Sequence, residues 1–379
     1  MSKIKIGITG QAGFVGTHLY NTIGLSPDKY ERITFEDDFF KSEESLKQFV
    51  KQCDAIVHLA AMNRHTDPEV IYNTNIGLVK QLIAACENTQ SKPHILFSSS
   101  TQEERDNLYG ASKREGRELL EKWAEKNNAH FTGLVIPNVF GPFGLPHYNS
   151  VVATFCHQLT HKETPIIQTD GEIKLIYVGE LVAEIIGKIE RQMTSAQSPV
   201  TKYFVPNTSQ IKVSALLDKL IELKKNYFEK GIIPNLDEPF ERNLFNTFLC
   251  YIDHKTFFPF KLKLNTDDRG SFVETIKLNS GGQVSFSTTV PGITRGNHFH
   301  TRKAERFAVI KGKAKIELRK IGTSEVYSFE LDGNTPSFVD MPIWFTHNIT
   351  NIGKEELYTI FWINEHYNPE DGDTYFEEV

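Results

Sequence analysis

The stretch Ile4-Lys5-Ile6-Gly7-Ile8-Thr9-Gly10-Gln11-Ala12-Gly13-Phe14-Val15-Gly16 decides the reading of the first half of the chain. Isoleucines at 4, 6 and 8 alternate with period two, which is a strand, and glycines at 10, 13 and 16 follow it directly. The pattern predicts a strand over 4–9, a tight turn, and a helix beginning near Val15. In that context glycines let the backbone approach a dinucleotide pyrophosphate, and the helix N terminus faces its phosphates. Glycine spacing alone fits an unliganded strand-to-helix turn equally well. Residues further along tip the balance.

Short apolar runs at Ile33 to Phe35, Ala55 to Ala60, Ile95 to Ser98 and Gly133 to Ile136 alternate with helical stretches at Ile76 to Glu87 and Ser112 to Lys126. That rhythm predicts βαβ units on a parallel, Rossmann-type α/β sheet. Tyr109 and Lys113 stand one helical turn apart and share a face. The lysine is expected to lower the phenol's pKa from about 10 and to hold the ribose, leaving Tyr109 to give or take a carbonyl proton. Such pairs also occur on exposed helices, but this one follows a glycine loop and a strand ending in Ser98-Ser99-Ser100-Thr101. Ser99, Ser100 and Thr101 all remain candidates for the hydroxyl that orients the substrate oxygen. Past the glycines, Glu36, Asp37 and Asp38 lie about where an acid bonds the ribose of NADH and repels a 2'-phosphate.

A different pattern begins after Pro234-Asn235-Leu236-Asp237-Glu238-Pro239 and a short segment near Phe245 to Tyr251. Strand-like pieces alternate with the turns Gly281-Gly282, Pro291-Gly292, Lys311-Gly312 and Asp332-Gly333-Asn334, predicting an all-β jelly-roll barrel. The 379 residues are therefore expected to divide into domains 1–250 and 251–379. In the second, Gly292, His298, His300, Glu305 and Gly312 are followed by Pro342, Trp344, His347 and Asn351. Alternation points His298 and His300 to one side of a strand, and Glu305 and His347 complete a three-histidine, one-carboxylate set. A lone histidine reads as a core residue; four ligands framed by glycines read as a metal site. Zinc is expected, since nothing else suggests redox chemistry, although iron, manganese and nickel suit the same donors.

A net charge of −6 and the lack of an extended Lys/Arg run exclude the electrostatic footprint of nucleic acid or an anionic membrane surface. No apolar run approaches the ~20 residues of a membrane span, and no cleavable signal pattern opens the sequence, so a cytoplasmic protein is expected. Cys53, Cys86, Cys156 and Cys250 are far apart and read as reduced thiols.

Several blocks in the first 240 or so residues resemble the extended short-chain dehydrogenase/reductases. They are His58-Leu59-Ala60-Ala61, Asn75-Ile76-Gly77, Pro137-Asn138-Val139-Phe140-Gly141-Pro142 and Lys174-Leu175-Ile176-Tyr177-Val178-Gly179-Glu180. The resemblance implies a nucleotide-sugar substrate and cofactor contacts at Gly10, Gly13, Phe14, Val15, Gly16, Leu59, Ala60, Tyr109 and Lys113. It also implies substrate contacts at Asn138, Asn149 and Ser150. Dehydratases of that family carry Thr-Asp-Glu where this chain has Thr101-Gln102-Glu103, so 4,6-dehydration is not implied.

The second-half motifs are those of the cupins, with Trp344 in the usual place of a glycine. Asp268-Arg269-Gly270-Ser271-Phe272-Val273-Glu274 and Thr294-Arg295-Gly296-Asn297-His298 are also similar to the dTDP-4-keto-sugar 3,5-epimerase cupins, which need no metal and use that histidine as a base. His298 thus has two competing jobs, ligand or base, and the spacing of its partners favours ligand. Arg269 and Arg295 are candidates to pair bidentately with a diphosphate, a surface salt bridge being an equal reading for Arg269.

Over nearly its whole length, including Tyr148-Asn149-Ser150-Val151 and Asp373-Thr374-Tyr375-Phe376, the chain resembles the bifunctional reductase–cupin enzymes of capsular polysaccharide synthesis. That resemblance implies NADPH rather than NADH, a UDP-linked 4-keto-6-deoxy amino sugar, and C3 epimerisation before C4 reduction on the route to UDP-N-acetyl-L-fucosamine. A homodimer follows by analogy. Two rivals stay open: a simple reductase with the cupin as dimerisation or ligand-binding module, and an iron dioxygenase.

Overall fold

The computed structural model describes residues 2–194 and 199–379. Strand β1 (Ile4–Thr9) lies between β2 (Tyr30–Ile33) and β3 (Ala55–His58). Beyond β3 come β4 (His94–Ser100), β5 (Phe131–Ile136) and Val200–Phe204, all parallel in one six-stranded sheet. Helices α1 (Phe14–Gly24), α2 (Glu43–Gln52), α3 (Pro68–Thr89) and α4 (Leu108–Asn127) make the crossovers. Ile6 and Ile8 face Leu19, Ile23 and Ile185 on one side of the sheet, whereas Ile56, Ile95 and Phe97 pack with Phe49, Leu82 and Trp123. Gly7 is required within β1, because a Cβ there would lie 2.4 Å from the Phe49 ring.

The strand expected at Ile33 to Phe35 ends at Ile33 instead. Phe35 is buried, but from a loop, where it packs against the rings of Phe39 and Phe40 in a short 3-10 turn and of Phe49 in α2. An isolated buried aromatic carries the same sequence signal as a strand residue.

By contacts the chain divides into two compact units, one of residues 1–140, 144–151 and 171–212, the other of 141–143, 152–170 and 213–379. Residues 213–250, read from sequence with the first domain, thus cluster with the β domain. The physical reason is a buried network: the Arg306 Nε and Nη2 donate to the two Asp340 oxygens at 2.7 and 2.8 Å, the Tyr227 hydroxyl donates to Asp340 at 2.6 Å, and Arg306 Nη1 donates to the Gly231 carbonyl at 2.6 Å. Arg306 and Asp340 are almost wholly buried, and stranding one charge of such a pair costs about 3–5 kcal/mol.

The second unit holds two five-stranded antiparallel sheets. One orders Phe260–Lys261, Ser337–Met341, Glu305–Lys311, Leu357–Ile363 and Gln283–Thr289; the other orders Val326–Asp332, Lys313–Lys320, Phe345–Asn351, Thr294–Phe299 and Tyr375–Phe376. Val309, Val339 and Met341 from the first share a core with Ile316, Leu318, Phe329 and Ile349 from the second. The α/β and all-β classes expected from sequence are both present. Among the described residues, no helix is long and apolar enough to cross a membrane.

Candidate active site and candidate metal centre

The carboxyl ends of β1 and β3 are joined side by side, with Thr9 paired to His58 in the sheet. The Thr9 hydroxyl meets His58 Nδ1 at 2.7 Å and accepts the Ala60 N–H at 3.3 Å. Here the chain has crossed from one side of β1 to the other, the switch point where open α/β sheets bind ligands. Gly10 has φ +71°, and a Cβ on it would lie 2.8 Å from Ala60 N; one on Gly16 would lie 2.3 Å from the Gly10 carbonyl. Gly13 precedes α1 and donates to that carbonyl at 3.0 Å. Phe14 and Val15 open the helix. Gly10, Gly13 and Gly16, without side chains, are therefore brought together with Phe14, Val15, Leu59 and Ala60 in a cradle of closely approaching backbone, which fits a dinucleotide.

Asn107 caps α4 by accepting the Gly110 N–H at 2.7 Å, and this fixes the first turn on which Tyr109 sits. Lys113 Nζ lies 5.7 Å from the centre of the Tyr109 ring and donates to the Ser98 carbonyl at 2.9 Å. Burial lowers the Lys113 pKa to about 8. Burial, then the neighbouring Tyr148 phenol, pushes Tyr109 up to about 12. The expectation that Lys113 would lower the phenol is not met in this state: the same burial that disfavours the phenolate also disfavours the ammonium.

The three hydroxyl candidates separate by geometry. Ser98 and Ser100 share one face of β4, with Ser98 donating to the His58 carbonyl at 3.1 Å and Ser100 accepting the Gln102 N–H at 3.1 Å. Ser99 turns to the other face, is buried, and donates to Glu103. Glu103 also accepts from Arg117 Nε at 2.9 Å and Lys202 Nζ at 3.2 Å. Burial alone would raise the Glu103 pKa, but the Arg117 and Ser99 hydrogen bonds outweigh it and hold the carboxyl below its ordinary value. Ser99 is committed to that ion cluster, whereas Ser100 is half-buried at the end of β4 and Thr101 is exposed.

Asn138 is exposed and donates to the Lys174 carbonyl at 3.1 Å. The Asn149 side chain accepts from Arg64 Nε at 3.0 Å, and the Arg64 guanidinium lies 5.7 Å from the Tyr148 ring. Ser150 follows Asn149 and is partly buried. Sequence reasoning missed Arg64, which stands in a loop without periodicity or motif.

In the β domain, Glu305 and His347 project from neighbouring sheets toward His298 and His300. Glu305 Oε2 lies 3.0 Å from His347 Nε2, 3.3 Å from His300 Nε2 and 4.0 Å from His298 Nε2. One donor atom from each of the four falls within 4.8 Å of every other. The Nε2 atoms of His300 and His347 and Oε2 of Glu305 are buried without aligned hydrogen-bond partners. On the far side of each ring, His300 Nδ1 meets the Asp373 carbonyl at 2.5 Å and His347 Nδ1 meets the Phe345 carbonyl at 3.2 Å. A proton on each Nδ1 leaves both Nε2 lone pairs aimed inward, the tautomer a metal ligand needs. Inward lone pairs on histidines and an orphaned carboxylate oxygen fit a divalent cation.

Burial alone would raise the Glu305 pKa, yet His300 and His347 hold its carboxyl well below the ordinary range. Burial, followed by repulsion from His347, lowers His298 to about 4. His298 is the most exposed of the four, its side chain 26% accessible.

Trp344 keeps the turn that glycine serves in this motif, adopting φ +62°. Its ring stacks on Phe299 at 5.7 Å and its backbone N–H donates to the His300 carbonyl at 2.8 Å, which offsets the left-handed backbone. Arg295 is exposed on the strand that carries His298. Arg269 lies on an exposed hairpin and pairs with Asp267 at 2.5 Å.

Residues 6–194 match the NAD dependent epimerase/dehydratase family and residues 265–375 match the polysaccharide biosynthesis C-terminal domain. A UDP-2-acetamido-2,6-beta-L-arabino-hexul-4-ose reductase from Pseudomonas aeruginosa is 33% identical over 98% of both chains. The crystal structure of capsular polysaccharide assembling protein CapF from Staphylococcus aureus is 36% identical, covers 99% of this chain and 100% of its own, and gives a TM-score of 0.62. A structure of CapF with the inhibitor 3-isopropenyl-tropolone is 33% identical, covers 99% of this chain and 100% of its own, and gives a TM-score of 0.57. With both halves matched in one relative over the full length, the chain belongs to the CapF family, enzymes that join an NAD-dependent epimerase/dehydratase domain to a polysaccharide-biosynthesis C-terminal domain.

Proposed function

We propose that the protein converts a UDP-linked 4-keto-6-deoxy-N-acetylhexosamine in two steps, inverting C3 at the β domain, a cupin, and reducing the C4 ketone with NADPH at the Rossmann-type domain, on the route to UDP-N-acetyl-L-fucosamine. The observation that carries it is the presence on one chain of a Tyr109–Lys113 pair beside a dinucleotide cradle and a cluster of inward-facing histidines around Glu305. The reductase named for Pseudomonas aeruginosa supports the ketone step. When bound, the nicotinamide supplies hydride, and a divalent ion, zinc by preference, supplies Lewis acidity.

For reduction, Tyr109 gives its phenolic proton to the C4 oxygen as C4 becomes tetrahedral. The phenol is protonated at neutral pH, as the donor must be, and the burial that raises its pKa makes it a weaker acid until the ketone oxygen takes up charge. Lys113, fixed by the Ser98 carbonyl, presents its remaining N–H groups to the ribose. Ser100 is the hydroxyl assigned to the ketone oxygen, since Ser99 faces Glu103. Asn138, Asn149 and Ser150 are assigned to the sugar.

For epimerisation, the C3 proton is removed, the electron pair is delocalised into the 4-ketone, and a proton returns to the opposite face without change of oxidation state. His298, His300, Glu305 and His347 are the assigned ligands, and Arg269 and Arg295 the assigned diphosphate contacts. The greater exposure of His298 and its longer distance to Glu305 favour a second reading, in which it is the C3 base and the other three hold the ion. His298→Asn separates the two: a ligand loses metal on replacement, whereas a base loses exchange at C3 with metal retained. The CapF inhibitor fits the metal reading, because a tropolone presents two adjacent oxygens suited to chelating a divalent ion.

NADPH is the proposed reductant. The first residue after β2 is Thr34, and Glu36 lies beyond the buried Phe35, while Asp38 pairs with Lys41 at 2.6 Å. No carboxylate therefore sits at the strand end itself. Initial rates of ketone-dependent oxidation are expected to be at least tenfold higher with NADPH than with NADH at equal subsaturating concentration. Equal or reversed rates would return the acidic cluster to the role expected for it in NADH binding.

A further inference from the structure

The C-terminal segment after residue 364 crosses the loop between His300 and Glu305. Asp373, 6% exposed and left-handed at φ +41°, is its anchor. Its carboxylate accepts the backbone N–H groups of Thr301, Arg302 and Lys303 at 3.1, 3.0 and 3.2 Å, and the Thr301 hydroxyl at 2.7 Å. Its carbonyl accepts from His300 Nδ1. On either side the strap is tied down: Lys303 Nζ donates to the Gly372 carbonyl at 2.6 Å, and Tyr375–Phe376 pairs antiparallel with Phe299 and His298.

We infer that Asp373 is a positioning residue of the metal centre, acting through His300 and the loop that ends at Glu305. The inference rests on the reading of His298, His300, Glu305 and His347 as a metal site. Three consecutive amides converging on one carboxylate fix the backbone of residues 301–303, and so fix the spacing between the two ligands that flank it. The carbonyl of the same residue holds the His300 proton on Nδ1 and its lone pair on Nε2. One residue thus sets both the tautomer of one ligand and the distance to the next. No metal-binding motif includes it, because it lies 73 positions from His300.

Cobalt(II) is the probe. It is titrated into the metal-free full-length protein, its affinity measured by chelator competition and its coordination by visible absorption. Asp373→Ala keeps the main-chain carbonyl that meets His300 Nδ1 but removes the carboxylate that gathers the Thr301, Arg302 and Lys303 amides; freeing that loop is expected to weaken Co²⁺ binding by about 10-fold or more, the low end of the usual loss at an outer-shell position, and to alter the absorption bands. Asp373→Asn keeps one acceptor oxygen for the amides and is expected to fall between alanine and wild type. It also provides the test if the alanine variant does not fold. Arg302→Ala removes the partly exposed ion pairs to Glu365 and Asp371 and a hydrogen bond to the Asp371 carbonyl, keeps the backbone N–H that Asp373 accepts, and is expected to leave Co²⁺ affinity within about twofold, as surface ion pairs contribute little. Wild-type affinity and spectrum in both Asp373 variants, with only a lowered melting temperature, would overturn the inference and leave the metal site standing. Failure of the wild type to bind Co²⁺ more tightly than His347→Ala would overturn the metal reading itself, and the inference with it.

Discussion

Tyr109→Phe is expected to lower C4 reduction by about 10²–10⁴-fold, the usual contribution of a positioned proton donor, with C3 hydrogen exchange unchanged. The substitution removes one hydroxyl and keeps the ring that lies beside Lys113, and α4 keeps its Asn107 cap, so the loss is chemical. Product formation is read by NADPH consumption and exchange by mass spectrometry in deuterated water. Loss of both activities together would contradict the assignment of separate chemistry to the two domains.

The second large effect is expected at His347. It is fully buried, its ring lies 4.6 Å from that of His298 and 5.9 Å from that of Phe307, and its Nε2 is 3.0 Å from Glu305. His347→Ala removes a donor from the cluster and leaves the buried Glu305 carboxylate with one fewer partner. Metal affinity is expected to fall by more than about a hundredfold, because even outer-shell changes cost 10–100-fold. C3 exchange should fall with it. His347→Gln, closer in volume, keeps the test valid if the alanine variant unfolds. Metal analysis after dialysis checks the first expectation and isotope exchange the second; full exchange in metal-depleted protein would favour the metal-free epimerase chemistry.

Much of this arrangement was legible in the sequence because its signals are local. The strand–glycine–helix pattern at residues 4–16 and the Tyr109/Lys113 spacing each depend on periodicity over a few residues, and the structure places them as expected. The His298, His300 and Glu305 motif likewise needs only one strand and a short loop, and His347 joins it in the structure. What sequence could not give depends on long-range packing. The attachment of residues 213–250 to the β domain follows from Tyr227 and Arg306 meeting at Asp340, a contact with no local trace. The roles of Ser99 and Ser100 divide by strand alternation, but which face carried the ion cluster required Arg117 and Lys202 to be in place. Arg64 was missed for the same reason, and Asp373 was read only as part of a family block, because its approach to His300 spans 73 positions. At Trp344, which stands in the usual place of a glycine, stacking on Phe299 accommodates the left-handed turn.

The proposed function puts a ketone-enolising site and a ketone-reducing site on one chain. Its most direct test is incubation of the purified wild-type protein with a UDP-linked 4-keto-6-deoxy-N-acetylhexosamine in deuterated water, with and without NADPH. Deuterium is expected at C3 without cofactor, and a C3-inverted, C4-reduced product only when NADPH is added. Reduction with NADPH but no incorporation at C3 under either condition would contradict it, leaving the β domain as a non-catalytic module on a simple reductase.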